Sequence, residues 1–238
     1  MAKTRSLYDA PFARDLVSFD CAVQFNWQQH FVDLLGKVPP TAAPTVERLQ
    51  AIQHRVRVDR NGAVVSAPPK APDLSVVAHG TELEEALKAM ITGGLNAWIP
   101  FSTNVILPVS PTKFKFEKID TGYRLTLNGP GIASTLLLST DMRLTSGVSE
   151  LPEPLRLTTE FSPGPNGFLL SSVATGNTTE TAVTRDATFA FAYQQVQGFQ
   201  LPASVTIKPA TPEVWHYTLN DCKATTGITI EIGLPKTH

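Results

Sequence analysis

Val17-Ser18-Phe19-Asp20-Cys21-Ala22-Val23-Gln24-Phe25-Asn26-Trp27 is the stretch that decides the fold class. Its odd positions are Val, Phe, Cys, Val, Phe and Trp, and its even positions are Ser, Asp, Ala, Gln and Asn. Successive side chains of a strand point to opposite faces, so strict alternation over this length specifies a β-strand buried on one side. Upstream, residues 1–16 read as an N-terminal arm, irregular over 1–14. Downstream, Gln28 to Leu35 predicts a short helix, and Pro39, Pro40 and Pro44 predict a loop. A hairpin follows. Ile52, His54, Val56 and Val58 alternate with Gln53, Arg55, Arg57 and Asp59. Asn61-Gly62 offers the positive φ angles of a tight turn, and Ala63-Val64-Val65 returns. Ala67-Pro68-Pro69-Lys70-Ala71-Pro72 is a stiff extended connection.

One helix stands out, over 82–92. Thr81-Glu82-Leu83-Glu84 matches a capping box, and Gly93-Gly94 is the expected stop. Leu83, Ala86, Leu87, Met90 and Ile91 recur at helical spacing and share one apolar stripe. Leu95, Ala97, Trp98, Ile99 and Phe101 follow as an apolar tail.

From Lys113 onward the chain reads as strands: 113–119, 122–128, 132–139, 141–148, 154–161, 167–175, 182–195, 201–208, 213–223 and 227–232. Turn signals separate them, at Asp120-Thr121-Gly122, Asn128-Gly129-Pro130-Gly131, Pro163 to Gly167 and Gln197-Gly198. Tyr123, Leu125 and Leu127 share one face of their strand, as do Phe189, Phe191 and Tyr193. Short runs so spaced imply an antiparallel meander. A sheet of this many strands must twist, and it closes or curls. The fold class is therefore mainly β (α+β): a strongly curved antiparallel sheet or incomplete β-barrel, with an amphipathic lid helix. Residues 17–238 form a single domain in this reading.

Composition narrows function without naming it. The 238 residues carry a formal charge of -1, with 17% charged and 42% hydrophobic residues. That balance argues against wholesale disorder and leaves no electrostatic footprint for nucleic acid. No apolar run reaches the ~18–20 residues of a membrane-spanning helix. Met1-Ala2-Lys3-Thr4-Arg5 leads into polar residues and not into an apolar core, so no signal peptide is read here. The two cysteines, Cys21 and Cys222, permit one long-range disulfide or two independent buried thiols.

Catalytic signals are absent at the motif level. None of the five histidines pairs with another at metal-ligand spacing, and no zinc-type Cys/His cluster occurs. No Gly-x-Ser-x-Gly elbow, P-loop or Gly-x-Gly-x-x-Gly run is present. No catalytic residue, metal ligand or cofactor is expected. His54, His216 and Glu160 are the candidate groups for an enzyme site assembled from distant strands. The candidate ligand-binding residues are apolar: Leu83, Leu87, Met90, Ile91, Trp98 and Phe101. They either line a hydrophobic cavity under the helix or pack plainly between helix and sheet.

The arrangement resembles the family of outer-membrane lipoprotein carriers and their relatives, periplasmic lipoprotein chaperones and mycobacterial lipid-transfer lipoproteins. The resemblance rests on the early strand Ser18 to Phe25, the hairpin and helix after it, and Tyr123-Arg124-Leu125-Thr126-Leu127. It continues through Ser139 to Leu144, Phe161-Ser162-Pro163, Gly167 to Leu170, and Gly198-Phe199-Gln200-Leu201-Pro202, similar to a strand entry common in that family. It covers residues 17–223 loosely. It implies a half-open barrel in the periplasm or secreted, with an apolar cavity for acyl chains and no covalent chemistry. The expected function is a non-catalytic binding protein for a lipid or other apolar small molecule. The alternatives are a structural or protein-interaction domain with a filled core, and an enzyme.

Overall fold

The computed structural model describes residues 2–103, 114–129, 132–149, 155–178 and 183–227. The helices are α1 (Ala2–Arg5), α2 (Trp27–Leu35), α3 (Ala43–Gln50) and α4 (Gly80–Ser102). The strands are β1 (Leu16–Phe25), β2 (Arg55–Asp59), β3 (Gly62–Ser66), β4 (Phe114–Ile119), β5 (Gly122–Gly129) and β6 (Ile132–Leu138). They continue with β7 (Leu144–Ser149), β8 (Leu155–Gly164), β9 (Gly167–Thr178), β10 (Val183–Val196), β11 (Phe199–Pro209) and β12 (Trp215–Thr226). All twelve form one sheet in the order β3-β2-β1-β12-β11-β10-β9-β8-β7-β6-β5-β4. Every neighbouring pair is antiparallel. Among the described residues the sheet is open, with β3 and β4 as its two edges, and it does not close into a barrel.

The long-range join is β1 with β12. Phe25 lies opposite Tyr217 and Phe19 opposite Ala224, with irregularities between Leu16 and Ser18 and between Asp20 and Ala22. Cys21 and Cys222 meet at the second of these and form a disulfide, 201 residues apart in sequence. Asp221, beside Cys222, takes a φ of 49° there. Such a bulge re-aims one side chain and increases local twist.

The alternation read over 17–27 holds in its middle, where Phe19, Cys21, Val23 and Phe25 are buried and face α4's side of the sheet. Val17 is instead 45% exposed, beside the irregularity between Leu16 and Ser18, and Trp27 already belongs to α2. Residues 141–143 are not yet strand, because Met142 turns with a φ of 69° and β7 starts at Leu144. The strand expected at 227–232 falls, beyond Gly227, outside the described residues.

Several local expectations are corrected. The connection at 67–72 is not extended throughout, since the Ala71 N–H donates to Pro68 O at 3.1 Å and closes a turn. The arm is not irregular throughout, since residues 2–5 are α1. The segment with Pro44 is not all loop. Residues 43–50 are α3, with the proline in the first turn, where its missing N–H has no helical partner to lose. The hairpin loop is Arg60-Asn61, and neither these nor Gly62 has a positive φ. Instead the Asp59 carboxylate accepts the Asn61 N–H at 2.7 Å and holds the turn.

The helix α4 also departs from expectation. It does not run over 82–92 with a Thr81 cap. It begins at Gly80, after His79 in a left-handed conformation with φ 57°, and continues to Ser102. Gly93-Gly94 does not stop it, and Pro100 lies inside its last turns. Leu87, Ile91, Gly94, Leu95, Trp98 and Ser102 extend one buried stripe along it. Gly94 is there for close approach. A Cβ on it would stand 2.7 Å from the Tyr217 hydroxyl and 3.1 Å from Val205 Cγ1 and Ile207 Cδ1. Tertiary packing has overridden a local stop signal.

The arm is tied to the sheet. The Asp9 N–H donates to Phe168 O at 3.0 Å and the Phe168 N–H to Leu7 O at 2.7 Å. Phe12 is buried in the main core.

Candidate functional site

The inner face, on which α4 lies, carries two apolar cores. The main one joins α2, α3 and α4 to β1–β3 and β9–β12. Around Trp98 this core is tightly packed. Trp98 is 2% exposed; its ring lies 5.9 Å from that of Phe12 and 6.0 Å from that of Phe19. Its indole N–H donates to the Tyr193 hydroxyl at 3.1 Å, which donates onward to Leu170 O at 2.8 Å. The Tyr217 hydroxyl donates to Ile91 O at 3.2 Å and pins the helix to β12. Burial pushes both phenols well above the usual tyrosine range, so neither is an acid or base near neutrality.

The six expected ligand-facing residues therefore part company. Leu87, Ile91 and Trp98 are buried against the sheet in this core. Leu83 and Met90 are half-buried at its margin. Leu83 also lines a cavity of about 400 Å³ between α2, α3 and α4, with Phe31, Thr45 and Ala78. Phe101 alone reaches the second core, its ring 6.1 Å from that of Phe161.

That second core is built by β5–β7. Leu125, Leu127, Leu136, Leu138 and Leu144 are buried, with Tyr8, Phe101, Leu157 and Phe161 packed against them. Cross-strand register puts these leucines on one face: Leu125 opposite Leu136, Tyr123 opposite Leu138. Gly147 sits on the same face, opposite both Leu136 and Leu157. A Cβ on it would approach Leu136 Cδ2 to 2.8 Å, so its absence lets the two leucines lean together. The Tyr8 hydroxyl accepts the Leu144 N–H at 2.6 Å, and its ring packs 5.0 Å from Phe161.

The margin of this half is not buried. Phe114 and Phe116 on β4 lie opposite Leu127 and Leu125, on the leucine face, yet are 42% and 40% exposed. Leu155, opposite Ser149 at the other side, is 41% exposed. The Phe116 ring stacks on Tyr123 at 5.1 Å. These residues were readable as alternating strands. Their membership of one face was not, since it depends on register across five strands.

The ionisable residues singled out from the sequence do not converge. His54, 3% exposed, contacts Glu84 at 3.2 Å, and Glu84 also meets Lys88 at 3.0 Å. Desolvation holds the His54 pKa below its ordinary value, with the Glu84 hydrogen bond opposing. His216 pairs with Thr206 at 2.8 Å, and Glu160 accepts from Ser172 at 3.0 Å. Among the described residues no group of three His, Cys, Asp or Glu side chains could hold a metal ion, and no helix is long and apolar enough to cross a membrane.

Fold and faces together define a class: an open antiparallel sheet with helices packed over one half of its inner face. No family model, curated protein or solved structure matches the chain.

Proposed function

We propose that this protein binds a lipid acyl chain or a similar apolar small molecule, without covalent chemistry, in the periplasm or outside the cell. The ligand lies on the inner face of β4–β8, beside the C-terminal end of α4. One observation carries the reading. Phe114, Phe116 and Leu155 are each at least 40% exposed and share a face with a buried leucine core. Large apolar side chains grouped on one face are costly in water and mark a binding surface. The Cys21–Cys222 disulfide suits an oxidising compartment. The resemblance to lipoprotein carriers points the same way.

This is a narrower seat than the whole helix–sheet interface. The dense packing around Trp98 favours a filled, structural role for the half under α4. The test is titration of delipidated protein with a fluorescent fatty acid. Saturable binding is expected in the micromolar range, as for ~8 kcal/mol of association free energy. Leu155→Glu should weaken it at least about tenfold, since burying a charge against an apolar chain is strongly unfavourable. Val64→Glu, at a 68% exposed position on the outer face of β3, should leave it unchanged. Absence of saturable binding to the parent protein, or equal loss in both variants, rejects the assignment.

A further inference from the structure

The two edges of the sheet are treated differently. At β3, α4 packs beside the edge, and the Asn96 side chain accepts the Ala63 N–H at 3.0 Å. At β4 no strand pairs with the outer edge among the described residues. An open edge is a row of unpaired donors and acceptors, and a chain that leaves one bare invites pairing. We propose that β4 is the surface through which two copies of this chain associate, strand to strand and antiparallel, about a two-fold axis at Phe116.

The sequence of β4 is complementary to itself in that register. Phe114-Lys115-Phe116-Glu117-Lys118 reads +/− symmetric about its centre. Antiparallel pairing of two copies sets Lys115 opposite the second copy's Glu117, twice. Phe116 meets Phe116, and each Phe114 meets a Lys118 that can lie over its ring. The backbone parity agrees. β4 and β5 are joined by a two-residue loop with Ile119 opposite Gly122. In such a hairpin the closing pair exchanges hydrogen bonds, so Ile119, Glu117 and Lys115 point their backbone groups at β5. Phe114, Phe116 and Lys118 then point theirs outward, and in the proposed register these meet one another. The charged residues fall at the intervening pairs, where side chains stand closest.

The neighbouring registers of correct parity centre on Lys115 or Glu117. Each sets like charges directly opposite, which disfavours them. In the proposed register Glu117 lies between Arg124 of its own β5 and Lys115 of the second copy, so charge alternates across the junction. Within one copy Lys115 and Glu117 already pair at 2.7 Å, on the face away from the leucine core. The interface is isologous and closes at two copies.

Sedimentation equilibrium of the full chain from low micromolar to near-millimolar concentration tests this. A reversible monomer–dimer equilibrium is expected. Lys115→Glu and Glu117→Lys should each weaken it about tenfold or more, since each replaces two attractive cross-strand pairs with two repulsive ones. An equimolar mixture of the two variants should dimerise again, because every cross-strand pair in the mixed dimer is opposite in charge. Phe116→Cys should give an intermolecular disulfide under mild oxidation, since the two positions face one another on the axis. A monomer throughout the range overturns the proposal, as does a dimer indifferent to both reversals or a mixture that fails to recover. Both reversals lie on the outer face, so fatty-acid binding should persist in them, and its loss would bear on the ligand seat alone.

Discussion

At the scale of single residues, two adjacent glycines in α4 have opposite tasks. A Cβ on Gly93 would meet nothing within 4 Å, whereas one on Gly94 would collide with Tyr217. Gly93→Ala should therefore raise stability by up to ~1 kcal/mol, the helix-propensity gain. Gly94→Ala should lower it, since overpacking costs roughly 1–3 kcal/mol and the collision threatens the Tyr217–Ile91 bond. Denaturant midpoints of the pair check this, and two shifts of the same sign would refute the close-approach argument. His54 supplies a pH dependence. Burial keeps its folded pKa below the ordinary 6.5. As pH falls, the unfolded chain takes up the proton first. The stability contribution present above about pH 6.5 is then lost as pH drops through the lower folded value. His54→Gln should flatten the urea midpoint between pH 7.5 and 5. An unchanged slope would mean that other groups set it.

At the scale of elements, β1 was legible because alternation is a local property, and α3 and the end of α4 were not because their signals are ambiguous locally. Pro44 breaks a helix interior but fits a first turn. Gly94 ends a helix unless a sheet needs it close, and that need is set by Val205, Ile207 and Tyr217, over a hundred residues away in sequence. The pairing of β1 with β12 is equally non-local, and the Cys21–Cys222 disulfide fastens it. Linking positions 201 residues apart removes much unfolded-chain entropy. The loop-entropy relation gives roughly 5 kcal/mol, and loss of a native disulfide costs about 2–5 kcal/mol in practice. The double variant Cys21→Ala, Cys222→Ala should lose stability in that range by guanidinium unfolding. Reductant should shift the parent protein by the same amount and leave the variant alone. A parent protein indifferent to reductant would show that the bridge does not form.

At the scale of the whole molecule, the sheet is one hydrogen-bonded object with two unequal halves. The half around β1, β11 and β12 has α2–α4, the disulfide and the Trp98–Tyr193–Leu170 hydrogen bonds. The half around β4–β7 has the leucine core, Tyr8 and an edge strand, β4, that pairs only with β5 among the described residues. A strand list cannot announce this division, because the residues on both halves alternate in the same way. The difference lies in what packs on them, and the cover that α4 provides ends at Ser102. Local stability follows buried contact, so the halves should open at different free energies. Hydrogen exchange should then show amides of β4–β7 exchanging faster than those of β1, β11 and β12. Adding fatty acid should slow the β4–β7 amides selectively, since a ligand stabilises the states that bind it and must occupy that face to do so. Uniform protection across the sheet would show that the disulfide-linked half and the leucine half unfold as one unit. Ligand-induced slowing confined to β1, β11 and β12 would move the binding seat back under α4, around Leu87 and Ile91.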